Sequence, residues 1–193
     1  KGCHTHKYLP KINEKLMKSS EGFLVEYFDG ESFDKNLLFQ ENLIGSKFWV
    51  FEGFAKEVIA KFDRPDISVK FSCAYTPDIS GNHEFEIFGI GKARLFIDGK
   101  ELIDNWTETS PGEAFFSFSS DSKKALVYLD EGKTYQLEIR YKFEGNFPAI
   151  YIGCQTPDKV NLFDEALEVA KAADQVVLIV GTNSDWETEG NDR

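Results

Sequence analysis

Residues 134–141 read TYQLEIRY, and within them Tyr135, Leu137, Ile139 and Tyr141 alternate with Gln136, Glu138 and Arg140. A period of two sends successive side chains to opposite faces of an extended chain, so the stretch predicts a strand with one wet face. Residues 83–89, HEFEIFG, repeat the device, with Phe85 and Ile87 set against Glu84 and Glu86. Between RLFI (94–97) and KELI (100–103) stands Asp98-Gly99, the two-residue turn whose backbone twist suits a hairpin. Strand follows strand in this way from Gly22 to about Gly153, and the 18 phenylalanines of the chain can fill a core. The prediction is a mainly β unit, a sandwich or a barrel.

The tail has another period. In residues 161–174, NLFDEALEVAKAAD, the apolar positions Phe163, Ala166, Leu167, Ala170 and Ala173 recur at helical spacing behind Asn161, a side chain suited to an N-cap. QVVLIVG (175–181) follows, a continuous apolar run of the kind found in a strand buried on both faces of a parallel sheet. Helix, buried strand and polar loop make half of an α/β unit, which needs further sheet to dock on. Residues before Gly22 are mixed in character, with Tyr8-Leu9-Pro10 their only apolar knot. The expected organisation is a connecting segment (1–19), a β-domain (20–156) and an α/β piece (157–193), the pattern of an insertion taken with its flanks.

The chain has 193 residues and a net charge of -11, with acidic residues spread along its length. Binding to nucleic acid needs clustered Lys and Arg that displace counterions, so a nucleic-acid partner is disfavoured, and an anionic membrane for the same reason. No apolar stretch reaches the roughly 20 residues of a membrane span, and the first residues carry no signal-peptide core. Without a targeting signal a cytoplasmic location is favoured over secretion. The start at Lys1 and the stop at Arg193 read as cuts in a longer protein. Cys73 reads as a small buried hydrophobe, and Cys3 and Cys154 could pair if the two ends of the chain meet. His4, His6 and His83 share no strand face or helix and read as surface residues; no metal and no cofactor is expected.

Several stretches together resemble the PA fourteen (protective-antigen type) domain, a β module of toxins, adhesins and glycosidases. GFLVEYFDG (22–30) is similar to its opening strand, residues 71–106 to its centre with RLFIDG, and LDEGKTYQLEIRY (129–141) to its closing turn and strand. The flanks, KGC at the start and AKAADQVVLIVGTNSDWETEGNDR (170–193) at the end, resemble the second, α/β sandwich domain of glycoside hydrolase family three, which holds many β-glucosidases. Some members of that family carry a PA fourteen domain inserted at this place, so each resemblance implies where the other begins.

Retaining glycosidases use two carboxyl groups about 5–5.5 Å apart, a nucleophile and an acid that protonates the departing oxygen. A crowd of carboxylates favours the protonated acid by raising its pKa, and Asp185, Glu187, Glu189 and Asp192 supply such a crowd. Read without the resemblance, they make a solvated acidic loop. With it, the general acid/base is placed at Glu189, directly before Gly190, with Glu187 as the alternative and Asp192 and Arg193 as an ion pair shaping the loop. Ser184-Asp185-Trp186 spells the family's nucleophile motif but follows the wrong strand, and is read as coincidence. The nucleophile is therefore expected outside this chain, which alone should be inactive.

In NWTETSPGEAFFSFSS (105–120) the plain reading makes Phe116 and Phe118 alternate core residues of a strand. The resemblance implies instead a loop over the active site whose aromatic limits substrate length, matched to Phe116 with Phe115 next, and Trp106 packing beneath. The expected substrate is a short β-glucoside, a disaccharide or an aryl glucoside, and the expected partners are the remaining domains of the parent chain, with self-association left open. Two rivals stand beside this: a free-standing carbohydrate-binding or adhesin module, and a structural spacer. Lectins of the domain family hold calcium through consecutive Asp residues. This chain has no Asp-Asp pair.

Overall fold

The computed structural model describes residues 3–17, 21–54, 67–145, 147–181 and 186. Among the described residues ten strands follow one another: β1 (Phe23–Asp29), β2 (Leu37–Leu43), β3 (Lys47–Trp49), β4 (Ile67–Tyr75), β5 (Gly81–Gly89), β6 (Gly91–Ile97), β7 (Lys100–Asn105), β8 (Lys123–Leu129), β9 (Tyr135–Phe143) and β10 (Ala149–Gln155). They pair antiparallel in two sheets, one ordered β2-β1-β4-β9-β6-β7 and the other β3-β10-β5-β8. The sheets stay open, so of the two predicted architectures the sandwich forms and the barrel does not.

Alternation in the sequence becomes rows across the larger sheet. Val25, Phe71, Ile139, Leu95 and Ile103 stand in register on five neighbouring strands, all buried in one core cluster that also takes Phe48, Phe85, Ile87, Ile150 and Ile152 from the smaller sheet. Removing a side chain of this size from water contributes about 1.5–3 kcal/mol. One residue along each strand, Glu26, Lys70, Arg140, Arg94 and Asp104 form the outer row, where Lys70 pairs with Glu26 at 2.7 Å and Arg94 with Asp104 at 3.3 Å. The β6–β7 hairpin turns at Asp98 (φ 49°) and Gly99 (φ 76°), the two left-handed residues expected there.

The segment before β1 is fastened to the sandwich. Lys11 bridges Gly153 antiparallel, Cys154 N–H donates to Pro10 O at 2.8 Å, and Leu9, Ile12, Leu16 and Met17 are buried. Two sequence readings are corrected in this region. His83 is buried, because its ring takes up the Tyr75 hydroxyl at Nδ1 (3.2 Å) and the Ile79 carbonyl at Nε2 (3.1 Å). Glu86, read as facing water, is also buried, since the Tyr8–Pro10 segment runs over it and Leu9 N–H donates to its Oε2. Cys3 is exposed, Cys154 is buried 3.6 Å from the Tyr75 hydroxyl, and both thiols are free; Cys73 is buried as expected.

The predicted helix forms over Leu162–Lys171, with the Asn161 side chain accepting from the N–H groups of Phe163 and Asp164. The predicted buried strand does not form. Residues 175–180 adopt no ladder, and Val176 to Val180 are 59 to 90% exposed, because an extended run becomes a strand only beside another strand and none of the described strands pairs with it.

Candidate functional site

Residues 110–120 leave the sandwich and return to it within a short distance. Pro111 bridges Ser120, Gly112 N–H donates to Ser119 O at 2.8 Å, and Asp121 N–H donates to Ser110 O at 2.6 Å. The strands of this neck approach so closely that a Cβ on Gly112 would lie 2.4 Å from Ser120 O. The buried Asn105 amide, at the end of β7, donates to Ser120 Oγ at 2.9 Å and to Asp121 O at 3.1 Å, which fixes the neck to the core.

Beyond the neck the chain makes one helical turn, Ala114–Ser117, through three consecutive left-handed residues: Phe115 (φ 50°), Phe116 (φ 62°) and Ser117 (φ 64°). For a residue with a Cβ this conformation costs roughly 1–2 kcal/mol, and it persists only where the surroundings over-determine it. Here the surroundings are aromatic. The Trp49 ring, at the end of β3, lies 5.7 Å from Phe115 and 6.0 Å from Phe116, and Phe88 lies 5.9 Å from Phe115 on its other flank. Phe118 meets Phe147 edge-on at 5.9 Å, and Lys47 sits 5.1 Å above Trp49. Phe116 is thereby held 70% exposed, with Phe51, 77% exposed, beside Trp49 at 5.0 Å. Neither Phe116 nor Phe118 is a strand residue, so the plain core reading does not hold for them.

A second group of contacts reaches the turn from the N-terminal segment. Tyr8 packs on Phe88 at 4.6 Å, and Phe88 in turn stacks on Tyr151 at 4.8 Å. The Tyr151 hydroxyl donates to Leu9 O at 2.6 Å. Lys7 forms an ion pair with Glu113, the residue that opens the turn; hydrogen bonding to Glu113 raises the Lys7 pKa, and the Lys7 ammonium lowers that of Glu113. Trp186 comes to the same place, its Nε1–H donating to Thr5 O at 2.7 Å and its ring 5.9 Å from Lys7 Nζ. Beneath the segment, burial pushes the Glu86 carboxyl above its usual value, opposed by the Leu9 N–H and by Lys124 Nζ, which lies 3.7 Å from Oε1, near enough for an ion pair and too far for a hydrogen bond.

Of the residues singled out in the sequence, Phe115 and Phe116 stand together in the turn. Glu187, Glu189, Asp192 and Arg193 lie outside the described residues, as do Ser184 and Asp185. Trp186, between them in the chain, is described and packs on the segment that also holds Glu113. Trp106 packs against Phe33 (6.0 Å) and Arg94 (5.6 Å) on the outer side of the larger sheet. Sequence reasoning missed Trp49, Tyr8 and Lys7. KFWVFEGF (47–54) carries a signal for the first, a dense aromatic cluster, but Lys7 meets the turn across more than a hundred residues, Tyr8 reaches it only through Phe88, and no local pattern marks either. No group of three His, Cys, Asp or Glu side chains among the described residues could hold a metal ion.

Residues 22–146 match the PA14 domain family. Over 99% of its length the chain is 29% identical to a β-glucosidase of Rhizobium radiobacter, and over 100% it is 28% identical to a probable β-glucosidase H of Neosartorya fischeri. A crystal structure of β-glucosidase from Kluyveromyces marxianus in complex with glucose shares the fold, with a TM-score of 0.80 over 100% of the chain at 22% identity. The chain spans about a quarter of the length of these relatives: 23% and 24% of the first two, and 25% of the third.

Proposed function

The chain belongs to the PA14 domain family, and from that premise we propose that it is a PA14 unit carried inside a retaining β-glucosidase of glycoside hydrolase family three, together with the flanking part of that enzyme's α/β sandwich domain. Residues 1–19 are the connecting segment, 20–156 the inserted unit, and 157–193 the helix, strand and loop of the host domain. On this reading strands of the host sheet cover Val176 to Val180, which are exposed among the described residues. The reaction is hydrolysis of the terminal β-glucosyl residue of a disaccharide or aryl glucoside.

Chemistry divides between this chain and the rest of the enzyme. A carboxylate nucleophile outside the chain attacks the anomeric carbon, while Glu189 gives its proton to the glycosidic oxygen as the bond to that oxygen breaks. The same Glu189, now a carboxylate, takes a proton from the water that hydrolyses the glycosyl-enzyme ester. Glu187 is the alternative donor, and Asp192 with Arg193 holds the loop in shape. Phe116 faces the departing sugar or aryl ring, and Phe115 braces it against Trp49.

The observation that carries this reading is that one chain, matched end to end by relatives named β-glucosidase, holds an exposed aromatic in a strained turn whose first residue, Glu113, pairs with Lys7. The test is Glu189→Gln in the full-length protein. Turnover of substrates with poor leaving groups should fall by about 10²–10⁴-fold. Azide should restore part of the rate on an activated aryl glucoside, because it attacks the glycosyl-enzyme without needing a base. Undiminished turnover, or a loss that azide leaves untouched while Glu187→Gln shows the rescue, would remove Glu189 from the role.

A further inference from the structure

Among the described strands β2, β7, β3 and β8 end the two sheets, and the first three carry devices that blunt a free edge. β3 is three residues long, and the pairings that hold β2 and β7 each slip register once, at Tyr27/Phe28 and at Leu95/Phe96. β8 differs. It pairs with β5 in unbroken register, from Lys123 opposite Ile87 to Leu129 opposite Gly81, and none of the other described strands forms a ladder with it. Its outward side chains Leu126 and Tyr128 are 62% and 61% exposed, and the β5 residues opposite them, Glu84 and Asn82, are polar and give them no apolar cover. We propose that the free edge of β8 is a homodimer interface, where a second copy of this chain adds its own β8 antiparallel and joins the two four-stranded sheets into one.

The strand's own residues select that occupant. Lys123 is committed within its chain, its ammonium donating to Asp104 O at 2.9 Å and to Glu108 O at 2.6 Å, which ties that end of β8 to the end of β7. The run left free is 124–130, and its midpoint is Val127. Two identical antiparallel strands are related by a two-fold axis, and with the axis at Val127 each Lys124 faces Asp130 of the other copy. On the same outward side each Leu126 then faces Tyr128, an aliphatic–aromatic pair made twice. Lys124 and Asp130 are both exposed, and the Tyr135 hydroxyl, 3.2 Å from Asp130 Oδ2, steadies the carboxylate. Moving the axis to Leu126 would set Lys124 against Tyr128 and leave Asp130 outside the pairing. A parallel copy in register would place Lys124 beside Lys124. Basic start and acidic end thus complement each other when the incoming strand is this one reversed. The inference needs the sheet edge alone and is independent of the glycosidase reading.

The test is disulfide trapping in the full-length protein on a Cys3→Ser background, which removes the exposed native thiol. Leu126→Cys and Tyr128→Cys are made as separate variants, each at an exposed position where a substitution leaves the fold intact. In the proposed register the Cα atoms of residue 126 in one copy and 128 in the other lie about 4.5–5.5 Å apart, within reach of a disulfide. Each position lies roughly 8 Å from its own equivalent, beyond that reach. Mixing the two variants under mild oxidation should therefore give a covalent dimer in about tenfold higher yield than either variant alone. Adding Asp130→Lys to both should lower that yield about tenfold at low salt and less at high salt, because it opposes Lys124 with a like charge on both sides of the axis. No covalent dimer from the mixture, or a yield equal to that of the single variants, would overturn the proposal. So would a yield indifferent to Asp130→Lys.

Discussion

Glu86 shows how far one residue can depart from the pattern around it. Phe85 and Ile87 beside it obey the period of two, yet the Tyr8–Pro10 segment closes over the face that should be wet and leaves the carboxyl with the Leu9 N–H, the Ser122 side chain and a cation 3.7 Å away. Burial raises its pKa from 4.5, so the folded chain binds this proton more tightly than the unfolded chain does. The stability that follows is fully present below the unfolded value and is lost as pH rises through the folded one. Glu31, Glu52, Asp104 and Glu113 have the opposite sense, each lowered by a cation or by donors, and they lose stability toward acid. Subtracting one protein from another cancels them. Glu86→Gln, whose amide oxygen can still accept from Leu9 N–H, should therefore gain stability relative to the wild type as pH is raised from 4.5 to neutral, read from urea midpoints. A difference that stays flat with pH would mean that Glu86 titrates alike in the folded and unfolded chain, and that burial does not raise its pKa.

At the scale of elements, legibility followed periodicity. TYQLEIRY became β9 with its four apolar residues buried, Asp98-Gly99 became the hairpin turn, and Asn161 capped its helix. In each case the signal is local, because side-chain direction in a strand or helix is set by spacing alone. The Phe115–Ser117 turn has no such signal. Nothing in EAFFSF announces three left-handed residues, since their conformation is imposed by Trp49 and Phe88 from other strands. QVVLIVG differs for another reason: it is apolar, but a ladder needs a neighbour that none of the described strands supplies. The turn also bears a prediction. On the glycosidase reading, replacing residues 115–118 by a short Gly-Ser link in the full-length protein should widen the range of oligosaccharide lengths accepted, measured as kcat/KM along a cello-oligosaccharide series. An unchanged length profile would show that the turn does not line the aglycone side.

For the whole molecule, the core and the tail are separable. Every residue of the core cluster lies between Ile12 and Cys154, and the helix over 162–171 buries none of its side chains here. A chain ending at residue 156 should keep the urea midpoint of the full 193 residues within about 0.5 M. It should also associate less at high concentration, because the contiguous apolar surface of Val176 to Val180 is gone. Scattering and denaturation measured side by side would check both. A large fall in midpoint would mean that the tail contributes to the sandwich through contacts beyond those of Lys159, Asp158 and Trp186.

The bridge between Lys11 and Gly153 places the two ends of the β unit next to each other. Antiparallel neighbours lie about 5 Å apart, so the surrounding protein meets the sandwich as two adjacent threads whatever the size of what lies between them. The entropy of closing so long an excursion is met by the sandwich's own folding and falls only weakly on the host. Such a module can be gained, exchanged for a relative or deleted at a single surface loop without asking the host to change its geometry. On the glycosidase reading, trading whole modules alters which substrates reach the pocket and leaves the catalytic carboxylates where they stand.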